Sequence, residues 1–174
     1  IQEGKRASGA TAFLKPILKR SNLTTITYAQ VDQLILEGKK TVGVQFTKNK
    51  KVVQVHAQKE VILSAGAFQS PQLLMLSGIG DAFELKEHGI DCLHELKGVG
   101  KNLQDHLFFP ICEQAKTQEG INHNIAPLQQ LKAAWNYFVH KKGVFNNGPL
   151  EGMAFFDVDQ NGGKVNFQLH FSPM

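Results

Sequence analysis

The chain is poor in the residues that usually carry covalent or metal chemistry. It has two cysteines, one tryptophan and two tyrosines among 174 residues. Cys92 and Cys112 lack a CxxC spacing, so neither a zinc site nor a redox pair is indicated. A disulfide stays open on the sequence; two free, buried thiols in a reducing compartment are the simpler account. No apolar run approaches the roughly 20 residues of a membrane span, and no signal peptide is visible. Charge of one sign is only modestly in excess, 19 Lys+Arg against 15 Asp+Glu. The positives gather at Lys39-Lys40, Lys48 to Lys51 and Lys141-Lys142, beside Gly or Asn and without interleaved aromatics. They read as solvated turns, which argues against a nucleic-acid partner. A complete GxGxxG is also missing. Gly78-Ile79-Gly80 and Gly98-Val99-Gly100 carry Phe83 and Leu103 where the third glycine belongs, and read as turn and cap glycines.

What is present is a 42% hydrophobic content, enough for a real core. Its length allows one compact domain or parts of two. Residues 5–20 read as a short basic helix or loop. Residues 24–28, 31–36, 42–46 and 52–57 read as strands, with turns at Gly38 to Lys40 and at Lys48-Asn49-Lys50. In the last of these, Val53, Val55 and Ala57 alternate with Gln54 and His56, so one face is expected to be buried and His56 to sit on the wet one. Val61-Ile62-Leu63 reads as a buried strand leading through Ser64-Ala65-Gly66 into a helix. Ser70 is expected to N-cap that helix, with Pro71 in its first turn and Gly78 just past its end. Asp81 and Glu84 form a capping-box pattern for a second helix stopped by Gly89, and residues 90–93 are a candidate short strand. Leu128, Leu131, Trp135, Phe138 and Val139 recur at helical spacing over 128–140. Strand-like stretches follow at 153–158 and 165–171. Neither Ile1 nor Met174 has the look of a natural terminus, so the chain reads as a piece of a longer protein.

The most informative stretch is GAFQSPQLLMLSGIG, residues 66–80. A strand that stops at small residues before a helix lets a dinucleotide lie close to the main chain. This run resembles the second signature of the glucose-methanol-choline (GMC) oxidoreductases. GKRASGATAFL (4–14), NLTTITYAQVDQLIL (22–36), VGVQF (42–46) and KGVGKNLQDHL (97–107) resemble further segments of the same family, in the family's order. The resemblance is dense from about residue 4 to 110 and thinner beyond.

The resemblance implies a mixed α+β and α/β fold. Residues 1–104 would be part of a Rossmann-like FAD-binding domain with a β-meander, and residues 105–174 part of a mixed-sheet substrate domain. It implies FAD as cofactor and oxidation of an alcohol CH–OH group, with hydride passing to flavin N5. Val31 matches the position whose main chain bonds the adenine edge, and Ala65 and Gly66 match small residues packed against the adenosine. His170 occupies the place of a histidine that, in the choline-oxidising branch, hydrogen-bonds the substrate alcohol; Glu151 matches an acidic position of that branch and reads as a structural partner. Phe108 stands where choline-oxidising members have a Glu that holds the trimethylammonium group. A phenyl ring can face a cation but cannot neutralise it, so the change favours apolar or aromatic alcohols over choline.

Asn102, Gln104, Asp105 and His106 read as ties for a glycine loop at the domain junction, since neighbours on an extended chain face opposite ways. The family's pyrophosphate loop lies upstream of this stretch and its principal histidine pair downstream. No catalytic residue is therefore expected in this piece, which on its own is expected to be inactive. Its unpaired sheet edges make a homodimer an expectation, and a cytoplasmic location is the default reading. Two rivals remain on the sequence: a catalytically silent scaffold that binds a partner through the 128–140 helix, and a basic nucleic-acid-binding module.

Overall fold

The computed structural model describes residues 7–114, 116, 126–146, 150, 152–159 and 162–172. They form two compact units: residues 24–108, and residues up to 23 together with those from 109 onward.

In the first unit β1 (Gln30–Glu37), β2 (Lys40–Lys48) and β3 (Lys51–His56) form an antiparallel meander in the order β1-β2-β3. Its two hairpin turns explain the register. Gly38, with φ +60, opens the loop between Glu37 and its partner Lys40. Asn49 and Lys50, with φ 52 and 62, form a two-residue turn between Lys48 and Lys51. Positive φ at both central residues matches the right-handed twist of the flanking strands.

The meander departs from expectation in two places. Residues 24–28 form no strand and pair with none among the described residues; Tyr28 has φ 54 and is 95% exposed, so the run breaks before it reaches the sheet. All of β3 is exposed, contrary to the expected buried face of Val53 and Val55, because no layer covers that face among the described residues. His56 is exposed, as expected.

Residues 61–64 form no strand and pair with none among the described residues. Val61 and Leu63 are half-buried while Ile62 points out. They lead into α1 (Gln69–Leu76), β4 (Ile79–Gly80), α2 (Ala82–Glu87) and β5 (His94–Glu95), with β4 and β5 parallel. The short strand thus falls just after residues 90–93. The N–H groups of Leu93 and His94 both reach the Gly78 carbonyl, and Leu96 N–H reaches that of Gly80.

Gly78 ends α1 at φ +79, and a Cβ there would come within 2.6 Å of the Asp91 carbonyl oxygen. Gly80 and Gly100 converge on one side chain: a Cβ would stand 3.4 Å from Met75 Cγ at Gly80 and 3.2 Å from Met75 Sδ at Gly100. The second glycine of each Gly-x-Gly triplet is therefore a close-packing position, in keeping with the turn reading. Leu34, Phe46, Leu73, Leu85 and Val99 form the buried apolar core of this unit.

In the second unit, helical turns at Ala10–Leu14 and Lys15–Ile17 are wholly unburied. α3 (Pro127–Trp135) continues through a wider turn, Asn136–His140, and stops at Lys141, φ 55. β6 (Gly152–Phe156) and β7 (Phe167–Phe171) pair antiparallel, with the Phe156 and Phe167 rings 4.8 Å apart.

Cys92 and Cys112 are free but exposed, contrary to the expectation of burial, because both lie in irregular segments outside the packed elements. No helix among the described residues is long and apolar enough to cross a membrane.

Candidate functional site

Local chemistry builds an open turn at Ala65–Gly66. Gly66 has φ +97, a conformation L side chains rarely adopt. Its carbonyl accepts the Ser70 N–H at 3.0 Å, and the Ala65 N–H donates to Ser70 Oγ at 3.0 Å. Ser70 is therefore not the N-cap. The helix begins two residues earlier than that cap implies, at Gln69, with Phe68 in the cap position and no side-chain cap bond. That places the Ser70 hydroxyl inside the first turn, directed back at the approaching chain. The nearest atom to a Cβ on Gly66 would be Gln69 Oε1 at 3.6 Å, and residues 64–67 are exposed. Main chain with little side-chain cover thus faces outward here.

Val31 lies in β1 opposite Phe46, beside a β-bulge between Val31 and Gln33. The bulge leaves Asp32 as the extra residue, and Thr47 Oγ1 holds its carboxylate at 2.7 Å. Bulges bend a strand and re-aim the residues around them. The Val31 carbonyl accepts a 3.3 Å bond from Gln30 Nε2.

The residue that ties these parts together is Ser77, which pattern reading passed over. It is 6% exposed. Its Oγ donates to the Leu73 carbonyl at 2.6 Å and accepts the Leu34 N–H at 2.8 Å. The end of α1 is thereby pinned to β1, the strand that carries Val31. A polar residue closing the apolar run Leu73-Leu74-Met75-Leu76 was the available signal. No hydrogen bond joins Val31 directly to Ala65 or Gly66 among the described residues.

Beyond this, Asp81 caps α2 by accepting from Phe83 N–H at 2.9 Å and Glu84 N–H at 3.4 Å. Glu84 does not complete the box; its carboxylate pairs with Lys101 Nζ. The hydrogen bond to Glu84 raises the Lys101 pKa above 10.5, outweighing the opposing effect of desolvation, with smaller help from the Glu84 and Asp81 charges. Asp105 accepts from the neighbouring His106 N–H at 2.7 Å, both residues being exposed. Asn102 takes a left-handed conformation, φ 56, at the end of the glycine loop.

Phe108 is 74% exposed in an extended segment that ends the first unit. His170 belongs to the second unit, in β7 opposite Met153. Its Nδ1 is buried and has no hydrogen-bond partner among the described residues. Glu151 lies outside the described residues.

Residues 1–108 match the family model described as GMC oxidoreductase. The chain belongs to the GMC oxidoreductase family. It is 39% identical over 176 residues to the alcohol dehydrogenase [acceptor] of Pseudomonas putida, covering 99% of this chain and 32% of that protein. It is 41% identical over 174 residues to the mitochondrial choline dehydrogenase of Homo sapiens, covering 99% and 29%. Its fold matches a formate oxidase of Aspergillus oryzae RIB40 with a TM-score of 0.86 at 27% identity, covering 100% of this chain and 34% of that one. The chain thus spans about a third of the length of the relatives it matches.

Proposed function

We propose that this chain is part of an FAD-dependent oxidoreductase that oxidises the CH–OH group of alcohols. The observation that carries the reading is the GMC family match over residues 1–108, which takes in the open turn at Ala65–Gly66. In this reading residues 1–104 contribute to the flavin domain and residues 105–174 to the substrate domain.

The residues present fit an adenosine. Gly66 leaves room where a side chain would stand, and Ala65 adds only a methyl group. The Val31 main chain, at a bulge on β1, is the group assigned to the adenine edge. When bound, FAD supplies the hydride acceptor. The chain's own part is to hold the adenosine end of the cofactor, and so to fix where the reactive end lies relative to substrate. His170 is assigned to the alcohol. Its buried Nδ1, without a partner among the described residues, supports that role, because a substrate hydroxyl would satisfy an atom that is costly to leave alone. Phe108 is assigned to the substrate side, where its ring replaces a carboxylate and favours apolar or aromatic alcohols.

Steady-state kinetics of the longer enzyme test the reading: benzyl-type or aliphatic alcohols should exceed choline in kcat/KM. Choline preferred over both would overturn the substrate assignment, and a purified enzyme without flavin would overturn the whole.

The second reading, a partner-binding scaffold, draws on α3. It buries Ala133 while Leu128, Leu131 and Trp135 stay exposed at helical spacing. A homodimer of this chain would use such a face or the open edge of β3, and a cytoplasmic location belongs to the same proposal. Loss of the family's downstream histidine pair in the full reading frame would favour the scaffold.

A further inference from the structure

We infer that Ser70 and Ser77 are positioning residues that jointly set the Ala65–Gly66 turn and strand β1 in the register an adenosine requires. This rests on the nucleotide-binding reading above. Ser70 lies in the first turn of α1 and Ser77 caps its C-terminal end, seven residues on, about two helical turns or 10 Å, so the two fall on nearly one face. Each hydroxyl accepts from a backbone N–H outside the helix, Ser70 from Ala65 and Ser77 from Leu34. The helix therefore acts as a spacer, gripping the turn at its start and the strand at its end.

The two grips differ in kind. A helical serine commonly bonds back to the carbonyl four residues earlier, and Ser77, at the C-cap, does the same to Leu73. That bond orients its lone pairs toward Leu34. Because Ser77 is buried, water cannot replace it, and β1 cannot slide along α1 without orphaning a buried N–H. Ser70 closes a reciprocal ring: its hydroxyl takes the Ala65 N–H while its own N–H goes to the Gly66 carbonyl. With the Ala65 N–H and the Gly66 carbonyl both engaged, the turn holds Gly66 at its left-handed angle. Losing the hydroxyl frees the Ala65 N–H and lets the turn relax.

Neither serine is assigned to the reacting alcohol. Their removal should weaken binding of the adenosine end and leave turnover at saturating cofactor unchanged. The test uses the apo form of the longer enzyme, with ADP and FMN as probes for the two halves of the cofactor. Ser70→Ala should weaken ADP about tenfold, the size of one lost hydrogen bond, while FMN affinity and kcat at saturating FAD hold. Ser70→Thr, which keeps the hydroxyl, should restore ADP binding. Ser77→Ala should act in the same direction; if it fails to fold by circular dichroism, Ser70→Ala alone decides, since its turn is at the surface. Unchanged ADP affinity in Ser70→Ala would overturn the inference, as would an equal loss of ADP and FMN. Wild-type enzyme that binds neither ADP nor FAD would instead overturn the flavoprotein reading, and this inference with it.

Discussion

Ser77 shows how much one small side chain can decide. Removing its hydroxyl leaves the buried Leu34 N–H without an acceptor, a penalty of about 1–3 kcal/mol. Ser77→Ala should lower stability by that amount, read as a lower urea midpoint at unchanged slope. The Lys101–Glu84 pair makes a different prediction. Lys101 has a folded pKa raised above the ordinary 10.5, so its contribution is complete below that value and disappears as pH rises through the folded pKa. Glu84→Gln removes the main cause of the shift. The variant should lose less thermal stability than the parent between neutral and strongly alkaline pH; identical alkaline slopes would show the pair to be idle. Residue identity alone indicated the Asp81 cap, and the structure bears it out. The partner of Glu84 was not readable, because Lys101 is 17 positions away and reaches it only after α2 and β5 have folded back.

At the scale of elements, the meander was largely legible. Alternation and turn residues placed β1, β2 and β3 within a residue or two, because tight hairpins are local structures whose register follows from the turn. The Asn49-Lys50 turn retains one unfavourable choice, a lysine at φ 62. Lys50→Gly should stabilise the chain by about 0.5–1 kcal/mol, since glycine accepts that angle without a Cβ clash; thermal melting checks it. Non-local pairing was less legible. Residues 24–28 and 61–63 have the composition of strands yet pair with none among the described residues. Strand propensity reports the fit of a side chain to a sheet surface and cannot supply the adjacent strand. The α1 start moved by two residues for a similar reason: Ser70 accepts from Ala65 instead of serving as a cap.

For the whole molecule, the family match and the share of length it covers point the same way. A chain that spans about a third of its relatives leaves large apolar side chains such as Leu107, Phe108 and Trp135 in water. Purified alone, it should show no stoichiometric flavin absorbance and should self-associate, since exposed apolar patches and open sheet edges promote both aggregation and pairing. Absorption spectra with light scattering check both; a yellow monomer would contradict the expectation. If Phe108 has the substrate-side role proposed for it, Phe108→Glu in the longer enzyme puts a carboxylate there. It should raise kcat/KM for choline relative to benzyl alcohol, and an unaltered ratio would remove Phe108 from the specificity argument.

The sequence by itself determined the family, through the wording of residues 66–80 and the ordered segments around it. It also determined the hairpins, the α2 cap and the amphipathic pattern of α3, all set by neighbours within a few residues. Only the tertiary structure decided that Ser77 couples β1 to α1, that Ser70 secures the Ala65–Gly66 turn, and that Met75 sits beneath two glycines. Those contacts join positions up to 43 residues apart. Their partners are chosen by packing, which no local periodicity encodes.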